Sequence, residues 1–160
     1  MLIRRAKPAD ADTLSELAHR AKAHWGYPAA WMREWDAQLT ILPGYLELHD
    51  VWVVEDRGQL VGMCALEDRH DRWHLEHVWV EPAMHKRGFG RALVTHALEE
   101  AWSRHGGVVE LLADPYASGF YERLGARRAG DVPAPMPGER DRTLPKYEFA
   151  LDRMAPSPSR

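Results

Sequence analysis

The chain has 160 residues, 45% of them apolar, and 21 lysines and arginines against 24 aspartates and glutamates leave a formal net charge of −3. That is one domain's worth of chain, able to bury a core, and the charge gives no basic surface of the kind that binds nucleic acid. No run of 18 apolar residues is present, Met1–Pro8 lacks an apolar signal-type stretch, and the lone cysteine, Cys64, excludes an internal disulfide, so a soluble cytoplasmic protein with a packed thiol and no membrane partner is expected.

In chain order, residues 2–5 form a short strand candidate. Leu14, Leu17, Ala18 and Ala21 repeat at helical spacing. Thr13-x-x-Glu16 is a candidate capping box for that helix, with Asp10 or Asp12 as the alternative N-cap. Gly26 ends the helix, and Pro28 opens a second one with Trp31, Trp35 and Leu39 on one face, ending before Pro43-Gly44. The apolar runs 51–55 and 60–66 flank Asp56-Arg57-Gly58-Gln59, a hairpin signal. The run 73–80 is the next antiparallel strand. Alternation along it puts His74, Glu76, Val78 and Val80 on one face and Leu75, His77 and Trp79 on the other.

After that strand comes Pro82-Ala83-Met84-His85-Lys86-Arg87-Gly88-Phe89-Gly90-Arg91. A helix starts near Gly90 with a buried stripe of Leu93, Val94, Ala97, Leu98 and Ala101, and ends at Gly106-Gly107. A strand, a short basic glycine-containing loop and a helix N-terminus make an anion site: first-turn N–H groups lack intrahelical partners, and the helix dipole adds partial positive charge. Gly88 and Gly90 let a phosphate approach the backbone, and Lys86, Arg87 and Arg91 add full charges. The spacing is neither G-x-x-x-x-G-K-[ST] nor G-x-G-x-x-G with a distant acid, so P-loop and dinucleotide sites are disfavoured.

The strand 108–113 returns parallel to 73–80, because a helical crossover joins them. Then comes Asp114-x-x-Ala117-x-x-Phe120-Tyr121-Glu122-Arg123-Leu124-Gly125-Ala126, with a short helix over 117–124. Prolines 133, 135, 137 and 145 mark a long loop, followed by a last strand over 147–151. Residues 1–153 read as one domain, with 154–160 a disordered tail. His70, His74 and His77 alternate faces across a turn and strand, so no metal site is expected.

Two of these stretches together resemble the GCN5-related N-acetyltransferase (GNAT) superfamily. His85-Lys86-Arg87-Gly88-Phe89-Gly90 is similar to its motif Gln/Arg-x-x-Gly-x-Gly/Ala, with His85 the departure. Residues 114–126 are similar to Asn-x-x-Ala-x-x-Phe-Tyr-x-x-Leu-Gly-Phe, with Asp114 and Ala126 the departures. The resemblance is strongest over 75–126. It implies an α/β (α+β) fold: a mostly antiparallel central sheet with two splayed parallel strands, about 73–80 and 108–113, flanked by helices.

The same resemblance implies acetyl-CoA as the acetyl donor and a small-molecule or peptide amine as acceptor, attacked directly in a ternary complex, with a homodimer left open. It implies cofactor contacts from Val78, Trp79 and Val80 through backbone, from His85, Lys86, Arg87, Gly88, Phe89, Gly90 and Arg91, and from Asp114, Ala117 and Phe120. It places Tyr121 as the acid that protonates the leaving thiolate, with Tyr116 as runner-up. For the base, His74 and Glu76 are both candidates; imidazole titrates in the useful range, whereas a glutamate needs a raised pKa. The acceptor wall falls on the first two helices and the 130–145 loop, with Trp25, Tyr27 and Trp31 as candidate contacts able to hold a cation, although Trp31 and Trp35 also read as core. A non-catalytic acyl-CoA sensor is the alternative function.

Overall fold

The computed structural model describes residues 1–153; the expected tail at 154–160 lies outside the described residues. Seven strands form one sheet in the order β1 (Leu2–Arg5), β2 (Asp50–Asp56), β3 (Gln59–Asp68), β4 (Trp73–Val80), β5 (Val108–Leu112), β7 (Thr143–Ala150) and β6 (Arg127–Pro133). Every neighbouring pair is antiparallel except β4 and β5. The helix α5 (Phe89–Arg104) carries the crossover between those two.

Strand alternation divides the core. Trp52, Val54, Cys64 and Leu66 pack with the α5 stripe of Leu93, Val94, Ala97 and Leu98 and with Tyr121 of α6 (Ser118–Arg123). Val51, Val53, Met63 and Ala65 point the other way, toward Leu14 of α1 (Ala11–Ala23) and Leu46 of α4 (Pro43–Leu48). Leu14, Leu17 and Leu93 are fully buried; each such side chain contributes about 1.5–3 kcal/mol of transfer free energy. Among the described residues no helix is long and apolar enough to cross a membrane.

Several local expectations change. The helix opened by Pro28 breaks at Trp35 into α2 (Ala29–Glu34) and α3 (Asp36–Leu39), which lets the rings of Trp31 and Trp35 meet edge-on at 5.9 Å. Pro43-Gly44 begins a helix, α4, because proline at the first helical position loses no hydrogen bond. Thr13 and Glu16 lie inside α1 and form no capping box. Asp10 occupies the N-cap position, and its carboxylate accepts from the Lys7 N–H and from Arg4. The loop drawn over 130–145 is largely a hairpin: β6 and β7 pair from Arg127↔Glu148 to Pro133↔Thr143. Its prolines are tolerated because Pro133 ends β6 and Pro145 lies past the β5 ladder, which stops at Leu112↔Lys146.

The change that matters most is in β4. It pairs Ala65 with His77 but Leu66 with Leu75, leaving Glu76 as an extra residue in a β-bulge. A one-residue insertion reverses the alternation beyond it. Leu75 therefore shares the α5 face with Val78 and Val80, whereas Glu76 bonds to His74 and lies near Arg69, on the same face as Trp79. The expected grouping of His74 and Glu76 with Val78 and Val80 is corrected accordingly.

Candidate active site

β4 and β5 pair at only Trp73↔Val109 and His74↔Glu110 before they diverge. The backbone groups of 75–80 on the β5 side lose their strand partner there, and a cleft of about 530 Å³ opens through the sheet. Its lining draws on both faces: Val78, Val80, Phe120 and Tyr121 from the α5 side, Trp25 and Glu76 from the α1 side.

At one end of the cleft stands the loop before α5. Gly88 is the N-cap in the left-handed region (φ 86°), a conformation that costs glycine nothing. The first intrahelical bond runs from the Ala92 N–H to the Gly88 carbonyl, so the N–H groups of Phe89, Gly90 and Arg91 precede the helical ladder and face outward as donors. A side chain on Gly90 would meet the Phe120 ring at 3.2 Å; glycine there allows α5 and α6 to close on each other. Lys86, Gly88, Phe89, Gly90 and Arg91 line the cleft. Arg87 does not; its guanidinium turns to the Met84 sulfur. His85 lines the cleft, but its Nε2 bonds to the Val80 carbonyl at 3.1 Å, so the imidazole closes off the strand end. Arg123 supplies a cation that the motif comparison passed over; it lies three residues beyond Phe120, on the same helical face.

Tyr121 lines the middle of the cleft and is otherwise enclosed. Burial raises its pKa well above the ordinary tyrosine value, so the hydroxyl keeps its proton. Asp114 and Ala117 also line the cleft. The Asp114 carboxylate is already engaged from three directions: by the Tyr116 N–H at 3.0 Å, the Tyr27 hydroxyl at 2.9 Å and Lys22 Nζ at 2.8 Å. Lys22 is capped by the rings of Trp35 at 4.1 Å and Tyr27 at 4.9 Å, and its burial lowers its pKa. Asp114 thus ties α1 to the end of β5.

Glu76 and His74, the two candidate bases, are in contact at 2.8 Å. Glu76 lines the cleft; His74 does not. The hydrogen bond from His74 is the main reason Glu76 is held below the ordinary carboxylate range, against the effect of burial. The remaining histidine of the strand, His77, accepts from Trp79 Nε1 at 2.9 Å and is packed, with a pKa lowered by burial. Glu81, just past the end of β4, accepts from Arg20 of α1 at 2.7 Å.

The expected acceptor contacts separate. Trp25 lines the cleft and stacks on Tyr116 at 4.9 Å, nearly parallel. Tyr27 and Trp31 stand behind that wall. Trp31 is buried, and its Nε1 donates to the Pro137 carbonyl at 2.8 Å, while Arg142 stacks over Trp31 and Trp35. These contacts fasten the β6–β7 loop onto α2. Nothing in helical periodicity marks Pro137 or Arg142 as their partners.

Comparison with known proteins agrees with this geometry. The family model described as the GNAT acetyltransferase domain matches residues 47–125. The chain is 30% identical over 98 residues to a blasticidin-S acetyltransferase of Streptomyces morookaense, an alignment covering 58% of this chain and 70% of that protein. Two solved structures share the fold. One is the PaiA N-acetyltransferase of Thermoplasma acidophilum in complex with coenzyme A (TM-score 0.78, 16% identity, 93% of this chain and 98% of that one). The other is the ribosomal-protein-S18-alanine N-acetyltransferase of Escherichia coli (TM-score 0.71, 19% identity, 94% and 93%).

Proposed function

The chain belongs to the GNAT acetyltransferase family, and from that premise we propose that it transfers an acetyl group from acetyl-CoA to a primary amine by direct attack in a ternary complex. The observation that carries this reading is the cleft through the sheet, with Glu76 on one face and Tyr121 on the other. Acetyl-CoA enters from the α5 side. Its pyrophosphate rests on the N–H groups of Phe89, Gly90 and Arg91, with Lys86, Arg91 and Arg123 supplying charge. The pantetheine arm runs along the unpaired edge of β4, and a β4 N–H at the gap near Val78 stabilises the oxyanion.

The amine enters from the α1 side, past Trp25. It binds as the neutral amine, its ammonium proton already lost to solvent, and its nitrogen attacks the thioester carbonyl carbon. An ionised carboxylate with a lowered pKa does not strip a free ammonium ion, but N–H acidity rises steeply as the C–N bond forms, and Glu76 takes the proton then. The C–S bond breaks, and Tyr121 gives its proton to the departing thiolate. An amide and free CoA thiol result, and proton loss from Glu76 to solvent with return to Tyr121 closes the cycle. Glu76, not His74, is the base in this reading because Glu76 alone of the pair lines the cleft.

The test is a panel of amines supplied with acetyl-CoA and followed by release of free thiol: blasticidin S, an alanine-started peptide and simple alkylamines. The expected result is thiol release and an acetylated product with at least one amine. CoA binding with no turnover on any amine would instead assign a non-catalytic sensor.

A further inference from the structure

His74 and Glu110 form the last pair between β4 and β5. Glu76 and Leu112 each lie two residues further along their strands, so they flank the gap where it first opens. Leu111, Tyr147 and Phe149 pack toward α5. Strand alternation therefore turns Leu112, with Glu110 and Lys146, to the α1 face that also carries Glu76. Leu112 lines the cleft and is 41% exposed, a large apolar side chain left bare across the gap from the proposed base. Beyond it lies a second, smaller depression of about 170 Å³, which Leu112 also lines, with Val132 on its far side.

At the wide end of the gap the Trp25 ring is held between Tyr116, at 4.9 Å, and His85, at 6.0 Å. Tyr116 follows β5 and His85 follows β4, so the indole bridges the two strand ends and closes that way out. A substituent on an amine held at Glu76 is left the path over Leu112. The charged groups along that path already have partners. Arg69 donates to Glu67 at 3.2 Å, and Lys146 and Arg72 each stand 3.1 Å from Glu110. Asp114 is taken by Lys22. What is left uncovered is carbon, and covering it is favourable. From this arrangement we propose that the acceptor is a primary amine whose first carbons are apolar and bear no charged group, and that Leu112 selects it by packing against those carbons. A carboxylate on those carbons would face Glu76 and find no uncompensated cation. A second ammonium would have to displace an ion pair already made.

The proposal rests on the acetyl-transfer reading and names the substrate class of that site. Straight-chain alkylamines test it, because they share nearly the same basicity and differ only in carbon. With acetyl-CoA saturating, kcat/KM for the amine is expected to rise roughly fourfold per methylene from ethylamine to butylamine, the fold-change for one buried methylene. The diamine and the amino acid of the same chain length should fall about tenfold or more below butylamine, since each brings a charge to an apolar surface. Leu112→Asn keeps the size of the side chain and removes its apolar character. It should cut the rise to about twofold or less per methylene, with CoA affinity by calorimetry unchanged.

A flat alkylamine series in the wild type, or a diamine or amino acid acetylated as fast as butylamine, overturns the substrate class. The acetyl-transfer reading still stands in that case if any amine of the panel is acetylated; thiol release with none overturns both. A full rise per methylene in Leu112→Asn, or a loss of CoA affinity in its place, takes the selecting role from Leu112. Should Leu112→Asn melt below the assay temperature, Leu112→Ala is read by the same slope and overturned by the same result.

Discussion

On its α5 side the cleft is walled largely by one stretch of chain, residues 78–91, and presents backbone: a left-handed glycine, a helix N-terminus and the unpaired edge of β4. On its α1 side the wall is assembled from Trp25, the bulged Glu76, Asp114, Tyr116 and, behind them, Trp31 fastened to Pro137. The first wall suits a ligand whose phosphates and amides do not vary. The second is made of side chains brought together by the fold from α1, β4, the end of β5 and the β6–β7 loop. A constant donor and a changeable acceptor call for this division, and the two walls should respond differently to substitution.

The largest effect is expected at the point where the walls meet. Tyr121→Phe removes one hydroxyl and leaves the ring packed, so kcat should fall by roughly 10²–10⁴-fold with CoA affinity unchanged. Near wild-type turnover would pass the role to Tyr116 or to water. Next comes Gly90→Leu, which drives a side chain at the Phe120 ring and over the N–H groups of the loop. Calorimetry should show CoA affinity lower by about a hundredfold or more, near 3 kcal/mol. Trp31→Phe keeps an aromatic ring but loses the donor to Pro137. It should cost about 1 kcal/mol, a drop of roughly 2–4 °C in Tm, and raise the acceptor KM while leaving CoA affinity alone. An equal loss of CoA affinity would dissolve the distinction between the walls.

The smallest effect is in stability against pH. His77 has a folded pKa below its usual 6.5, so the fold loses stability as pH falls below that value and the ring must charge. Glu76 has a folded pKa below 4.5; its contribution is fully present above 4.5 and is lost as pH falls through the folded value. Thermal melts should be flat above about pH 6.5 and fall in two stages on acidification. A Tm that rises on acidification contradicts both assignments.

The α5 wall was legible because it is local: Gly88, Gly90, Lys86 and Tyr121 sit in two short motifs whose spacing is their geometry. The parallel pairing of 73–80 with 108–113 followed from the helical crossover alone. The α1 wall was not legible, for physical reasons that can be named. Alternation fails at Glu76 because a bulge inserts a residue that no local pattern marks. Asp114, placed by motif among the cofactor contacts, is engaged by Lys22 of α1 and by Tyr27 of the α1–α2 connection, both far away in sequence. Trp31 reads more readily as core than as wall, and its partner, Pro137, is invisible to local pattern because it is more than a hundred residues away.

The central claim is that Glu76 takes the amine proton on the face opposite the thioester. Single-turnover acetyl transfer with acetyl-CoA preloaded, compared between wild type and Glu76→Gln across pH 6 to 10, tests it directly. The account predicts a deficit of roughly 10²–10⁴-fold that holds across the range, because both proteins draw on the same neutral amine and Glu76 acts only as the C–N bond forms, with CoA affinity the same in both proteins. Equal rates in the two proteins at neutral pH would contradict it.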